Sequence, residues 1–149
     1  MVRRDRILST LKRGRREAER LMTDTCVIRR PTGTIGVDPD TGVATPEYTL
    51  VYEGKCKLQT AGGIASQVVS ASGDATNVGG NVPVWSLYLH LPMSAVDCRP
   101  GDLAQITASV DPALVGRRLR LVNLQSEKTH ATARRWNVSE MPAEGAADE

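Results

Sequence analysis

The feature that most constrains this chain is a two-residue alternation of apolar and polar side chains that recurs in several short segments. In the stretch RRLRLV, Arg118 and Arg120 alternate with Leu119 and Leu121. Successive side chains of a β-strand point to opposite faces, so the two leucines are expected in a core and the two arginines on the other side. The same period runs through residues 50–59, 84–91 and 104–110.

Gly, Pro and Asp residues separate these segments, as turns between strands require. With a last strand expected near residues 129–138, the sequence contains about six short strands. Such a pattern is typical of a small antiparallel barrel or sandwich. We therefore predict a mainly β protein, a small antiparallel β-barrel of about six strands with an N-terminal α-helix and long loops.

The predicted organisation has three parts in one domain-sized chain of 149 residues. Residues 1–24 are expected to form a basic amphipathic helix, because apolar side chains return every three or four positions between Asp5 and Met22. Residues 25–139 are expected to form the barrel, interrupted by a long hairpin or excursion at 33–47 and a long loop at 61–81. Residues 140–149 are expected to be an acidic flexible tail.

Charge is distributed unevenly, although the formal net charge is only +2. The first 20 residues carry eight Lys or Arg against three acids, while residues 140–149 carry four acids and no base. Ends of opposite charge suit contacts with different partners. Three widely spaced cysteines predict reduced thiols, and the absence of a long apolar run predicts a soluble chain that is not exported by a signal peptide.

No catalytic pattern accounts for a function. Asp40-Thr41-Gly42 spells the aspartic-protease triplet, but VDPDTGVATP lacks the apolar flanks that would bury a catalytic carboxylate, so we predict a turn. His90 and His130 have no partners at metal or triad spacing, and no phosphate-binding glycine pattern is present. We expect no enzyme activity, no catalytic or metal site and no cofactor.

A single-stranded nucleic-acid barrel would need exposed aromatic rings beside a basic groove. The chain has no Phe, and Trp85 falls on the apolar face of its predicted strand. The remaining candidates for base stacking are Tyr48, Tyr52, Tyr88 and Trp136.

The order of segments resembles the head-to-tail connector proteins, of the head-tail stopper type, of tailed bacteriophages infecting actinobacteria. The resemblance covers residues 15–139 and is carried by REAERLMTDTCVIRRP, DPDTGVATPEYTLVYEGKCKLQ, RPGDLAQITASVDPALVGRRLRLV and THATARRWNV. It implies a small β-barrel that assembles with copies of itself as a ring in the virion neck, built in the host cytoplasm. The implied partners are portal and adaptor proteins on the head side, and the tail tube or tail-terminator protein on the other. Packaged DNA would be retained in the channel without sequence specificity, and no membrane is involved.

Three groups of residues are assigned as candidate sites on this basis. A channel-gating role is expected for Gln67, Val68, Val69 and Ser70. Docking to the neighbouring ring is expected for Ile7, Leu8, Leu11, Arg15 and Arg16. Subunit contact or a solvated basic face is expected for Arg117, Arg118, Arg120, Arg134 and Arg135, because strong phosphate binding would hinder the passage of DNA.

Three alternatives remain beside the stopper, one of them a hydrolase built around Asp40 for which no substrate can be named. The nearest is a tail-completion or tail-terminator protein. The alternative from another class is a monomeric nucleic-acid-binding β-barrel that uses the arginine strand.

Overall fold

The computed structural model describes residues 2–60 and 87–142. Their secondary structure begins with one helix, α1 (Val2–Arg20). The strands that follow are β1 (Asp24–Val37), β2 (Ala44–Thr60), β3 (Leu87–Leu91), β4 (Leu103–Ala108), β5 (Arg118–Leu124) and β6 (Arg134–Met141). A 3₁₀ turn, Pro112–Leu114, precedes β5.

The strands close into a barrel in the order β1-β2-β3-β6-β5-β4, and β4 pairs again with β1. Every neighbouring pair is antiparallel. The prediction of a mainly β, six-stranded antiparallel barrel with an N-terminal helix is therefore confirmed.

The barrel interior contains the side chains that the alternation placed there. Leu119 and Leu121 are fully buried, while Arg118 and Arg120 point to the other face. The other members of the core include Cys26, Ile28, Cys56, Leu89, Leu91, Ala104, Ile106, Trp136 and Val138. The Cys56 thiol, through a side-chain hydrogen bond, together with burial, raises the pKa of the Cys26 thiol. All three cysteines are free and buried, so they contribute to packing.

Three strand assignments from the sequence need correction. Leu50, expected on the core face, is 56% exposed because this part of β2 lies beyond the barrel wall. Val110 is exposed because β4 ends at Ala108 and the chain turns towards Asp111. The last strand runs from Arg134 to Met141 and begins later than expected, after turns and bends between Ser126 and Ala133.

The C-terminal half of α1 packs against the outside of the barrel. Arg15 Nε donates to the carbonyl oxygen of Ala131 at 3.1 Å, and Glu19 Oε1 lies 3.3 Å from Lys55 Nζ. A methyl group at Gly14 would lie 3.1 Å from Thr132 Cγ2, so a larger residue there would require a small shift of the helix or of Thr132. The N-terminal half, from Arg3 to Thr10, is exposed.

Trp85, the whole of the predicted loop at 61–81 and residues 143–149 of the acidic tail lie outside the described residues. The first two residues assigned to that tail, Glu140 and Met141, belong to β6.

Candidate assembly surface

The five candidate arginines do not form one continuous face. Arg117 Nε and Nη2 donate to the two carboxylate oxygens of Glu140, each at 2.7 Å, and this pairing lowers the pKa of Glu140. Arg134 Nε donates to the carbonyl oxygen of Met93 at 3.0 Å. These two side chains are therefore engaged within the molecule, and their role in subunit contact or on a solvated basic face stays a prediction.

The other three arginines lie on the outer face of two strands. Arg118 and Arg120 follow each other on β5, and Arg120 pairs with Ser139 of β6. Arg135 pairs with His90 of β3 and lies four residues before Ser139 on β6. At ordinary strand rise, Arg135 and Ser139 are about 13 Å apart. The structure thus separates Arg135 from Arg118 and Arg120.

The helix residues expected to dock on a neighbouring ring divide into two groups. Ile7 and Leu8 are each 46% exposed in the projecting half of α1, so their apolar side chains have no full cover among the described residues. Arg16 is also exposed. Leu11 is half-buried, and Arg15 holds the helix on the barrel through Ala131. Ile7, Leu8 and Arg16 are therefore the members of this set that remain available for docking.

The proposed gating residues Gln67, Val68, Val69 and Ser70 lie outside the described residues.

The protease-like triplet forms the turn that its sequence indicates. Asp38 Oδ1 accepts a hydrogen bond from the backbone N–H of Asp40 at 2.8 Å, and Gly42, with φ at +72°, donates its N–H to the Asp38 carbonyl at 2.8 Å. The hydrogen bond from the Asp40 backbone, followed by hydrogen bonds from Thr41, lowers the pKa of the Asp38 carboxyl. Within residues 2–60 and 87–142, no cluster of three or more His, Cys, Asp or Glu has the arrangement of a metal site.

The aromatic candidates for base stacking lie in different surroundings. Trp136 is 3% exposed and belongs to the core, so it offers no ring to a base. Tyr52 is half-buried and donates its hydroxyl to the Lys55 carbonyl at 2.7 Å. Tyr48, 41% exposed, lies on a part of the chain that the arginine strand does not reach.

The most distinctive surface is a two-stranded arm, formed by residues 31–37 of β1 and 44–50 of β2. Pairing continues there through Pro31–Tyr48, Ile35–Pro46 and Val37–Ala44. The distal segment that the sequence indicated as a hairpin or excursion is thus mostly strand, with the turn confined to residues 38–43.

One face of this arm is apolar and is not covered by residues 2–60 or 87–142. Paired residues of an antiparallel sheet share a face, so Ile35 and Val37 lie on the same side as Tyr48. The exposed fractions are 68% for Ile35, 64% for Val37 and 41% for Tyr48. Leu50, at 56%, continues the row towards the barrel. Exposed apolar patches of this kind mark contact surfaces.

The opposite face of the arm is polar. Thr34 Oγ1 donates to Glu47 Oε2 at 2.8 Å, and the Thr32 and Thr34 hydroxyl oxygens are 2.7 Å apart. Thr32 Oγ1 also donates to the carbonyl oxygen of Glu47 at 3.3 Å. These contacts hold the two strands together without covering the apolar face.

The arm is fixed where it leaves the barrel. Arg29 is the last residue of β1 that pairs with β4, opposite Leu103. The next side chain, Arg30, donates from Nε and Nη2 to the carboxylate of Asp102 at 2.8 and 3.0 Å, and from Nη2 to the Asp97 carbonyl at 2.8 Å. This ion pair raises the pKa of Arg30.

Both long edges of the arm lack a further strand among the described residues. Beyond Arg29, β1 pairs only with β2, and before Lys57, β2 pairs only with β1. Unpaired edge strands are templates for β-pairing with another chain. Within the described part of the chain, no helix is long and apolar enough to cross a membrane.

Sequence reasoning passed over this surface because its strands are full of turn-forming residues. The signal was present as an alternation of apolar side chains at 35, 37, 44, 46, 48 and 50 with Thr and Glu between them. Gly33, Gly36 and two prolines made this alternation hard to recognise, because glycine and proline are unusual inside strands.

Comparison with known proteins identifies a fold and a family. The solution structure of protein SF1141 from Shigella flexneri 2a is similar at a TM-score of 0.51 and 12% identity, covering 86% of this chain and 96% of that chain. At this identity the likeness concerns the fold alone. No curated protein matches. A family model described as a family of unknown function, DUF6093, matches residues 14–139, and the chain belongs to that family.

Proposed function

We propose that this protein is a structural subunit of the neck of a tailed bacteriophage. Copies form a head-tail stopper ring that joins the portal and adaptor to the tail and retains packaged DNA. The phage context rests on the resemblance of residues 15–139 to connector proteins, and assembly rests on the amphipathic arm.

The arm carries the assembly argument because it is unfavourable in isolation. A two-stranded hairpin alone is marginally stable in water, and this one exposes Ile35, Val37, Tyr48 and Leu50. Burying one such side chain contributes about 1.5–3 kcal/mol. Cover from a neighbouring copy would therefore stabilise both the arm and the contact.

The shape of the subunit supports a ring as the form of the assembly. An arm that docks on a different surface of the next copy makes a heterologous contact, which closes into a ring when the rotation allows it. The exposed Ile7 and Leu8 of α1 provide a second contact, suited to a neighbouring ring. A tail-completion protein would use the same surfaces with different neighbours.

The nucleic-acid-binding alternative receives less support from the site. Arg117 and Arg134 are engaged within the molecule, and Trp136 is buried. Arg118 and Arg120 would remain as a short basic patch on β5.

The assembly proposal is tested by removing the apolar character of the arm. Ile35→Ser with Val37→Ser should convert an assembled species to monomer, while thermal unfolding of the barrel changes little. Val110→Ser is a matched control, because Val110 is 85% exposed and lies outside the arm. Multi-angle light scattering and negative-stain imaging measure the result. Equal assembly by the arm variant, or a wild-type chain that stays monomeric at every concentration, would contradict the proposal.

The virion location needs a separate experiment. Antibodies to the chain should label tailed particles at the junction between head and tail. Label at the distal end of the tail, or none on intact and disrupted particles, would remove the neck assignment while leaving the assembly result unaffected.

A further inference from the structure

A row of three basic residues, Lys57, His90 and Arg135, crosses neighbouring strands on the outer face of the barrel. We call it the basic row. Lys57 of β2 pairs with His90 of β3, and His90 pairs with Arg135 of β6. Their chain neighbours Leu89 and Trp136 point into the core, so the three members of this basic row share the opposite face.

Lys57 and Arg135 lie on either side of His90, about 10 Å apart across two strand spacings. Two cations at this separation repel each other, and an anion bound between them would be attracted to both. Within residues 2–60 and 87–142, neither Lys57 nor Arg135 has a carboxylate in ion-pair contact. The nearby Glu19 is paired with Lys55, and Arg15 is bound to the Ala131 carbonyl.

The basic row lies in a cavity between the barrel and the end of α1. Its volume is about 370 Å³, and the row forms part of its lining. An apolar wall is supplied by Ala18, Leu21, Met22 and Ala133. Polar side chains of Gln59, Tyr88 and Gln125 also contribute, and none of the lining residues that belong to the described part of the chain is acidic. A cationic floor beside a wall of small and apolar side chains suits a short segment that combines carboxylates with alanines.

The charges of the basic row also affect the protonation of His90. Burial, followed by the charges of Arg135 and Lys57, lowers the pKa of His90 to about 4. In the absence of an anion, His90 therefore remains neutral at neutral pH. A carboxylate docked on the row would favour its charged form.

One segment of the chain has the composition that this cavity requires. Residues 142–149 read PAEGAADE, in which Glu144, Asp148 and Glu149 accompany three alanines and no base. Residues 61–86, which connect β2 to β3, contain a single acid, Asp74. Charge complementarity therefore favours the C-terminal segment.

The location of β6 favours a segment from another copy. Arg135 lies near the start of β6 and Met141 at its end, about 20 Å away at ordinary strand rise. Seven residues, 143–149, reach at most about 25 Å. A chain folding back on its own barrel would bring only its last acids to the row, whereas the segment of a second copy has no such limit.

We propose that the basic row of Lys57, His90 and Arg135 is a receptor for residues 143–149 of a second copy of this chain. The inference rests on the proposed function in that it requires copies to meet. It adds a defined contact, in which carboxylates of one copy lie against the cationic side chains of the next.

The first test uses a fluorescent peptide of residues 140–149 and full-length protein. The protein carries Glu144→Gln, Asp148→Asn and Glu149→Gln, so that its own segment does not compete. Anisotropy should show binding at low salt that weakens at least tenfold when Lys57→Gln and Arg135→Gln are added. Arg118→Gln with Arg120→Gln removes the same charge from another outer face and should leave binding unchanged.

The second test reverses the charges between copies. Protein with Lys57→Glu and Arg135→Glu should fail to bind the natural peptide, but should bind a peptide with Glu144→Lys, Asp148→Lys and Glu149→Lys. Absence of peptide binding, equal loss in the β5 control, or failure of the reversed pair would overturn the inference.

Assembly and DNA provide the remaining comparison. Rings that form equally with and without the row substitutions, together with absent peptide binding, would overturn this inference and leave the proposed function standing. Peptide binding by a chain that never forms rings would support this inference and overturn the proposed function. If the row substitutions reduce retention of duplex DNA but not peptide binding in a side-by-side assay, the receptor role is also wrong, because the row then serves phosphate.

Discussion

Arg30 and Asp102 form a two-pronged ion pair, with 2.8 Å between Nε and Oδ1 and 3.0 Å between Nη2 and Oδ2, at the point where β1 leaves the barrel. The Asp102 side chain is 2% exposed, and its Oδ2 also accepts the backbone N–H of Arg99 at 2.8 Å. One carboxylate thus connects the arm to the segment that enters β4.

Asp102→Ala should destabilise the fold by about 2 kcal/mol, because the backbone N–H of Arg99 loses its acceptor and the ion pair with Arg30 is lost. Chemical denaturation measures the change in the free energy of unfolding. Asp97→Ala is the control, since only the backbone carbonyl of Asp97 contacts Arg30. An equal effect from both substitutions would contradict a specific role for the Asp102 side chain.

Leu89→Ala should cost roughly 2–5 kcal/mol, because Leu89 is completely buried among the core side chains and the substitution leaves a cavity. The exposed Leu50→Ala should change stability by less than about 0.5 kcal/mol. Urea unfolding of the two variants gives the comparison. Similar losses would mean that the two faces have been wrongly distinguished.

Removal of residues 2–10 should leave the barrel as stable as before, within about 0.5 kcal/mol, because Arg3 to Thr10 are exposed. Removal of residues 1–20 should leave a folded barrel of lower stability, since the Arg15–Ala131 and Glu19–Lys55 contacts disappear. Thermal unfolding distinguishes the two truncations. A shorter truncation that already unfolds the barrel would contradict this division of α1.

Acid should destabilise the monomer through His90. The unfolded chain takes up a proton near the ordinary pKa of about 6.5, whereas the folded His90 does so only near a pKa of about 4. This contribution to stability is complete above pH 6.5 and is lost as the pH falls towards 4, by roughly 1–3 kcal/mol. Urea unfolding from pH 7 to pH 4 should show a smaller loss in His90→Gln than in the exposed His130→Gln control. Equal pH profiles would refute the assignment.

The barrel could be predicted because its information is local. Leu119, Leu121 and Leu89 alternate with polar neighbours, and a half-buried strand permits only one face for them. The fate of Leu50 could not be predicted in the same way. The residues around Leu50 alternate between apolar and polar just as regularly, but β2 is 17 residues long and extends past the barrel wall. The side chain of Leu50 therefore stays exposed instead of entering the core.

The candidate sites depended on contacts between distant segments. Lys57, His90 and Arg135 are separated by dozens of residues and meet only through cross-strand register. Arg117 was predicted with its neighbours, but its partner Glu140 comes from β6. A single sequence shows which residues alternate, and it does not show which strands become neighbours.

The bond between Arg30 and Asp102 also acts on a larger length scale. An arm of seven residues on each strand extends about 20 Å, so a tilt of ten degrees at its root displaces the tip by about 3 Å. In a closed assembly built from arm contacts, that tilt would set the angle between successive copies. The curvature of the whole ring, and with it the number of subunits and the width of the channel, would then depend on how one guanidinium is seated against one carboxylate.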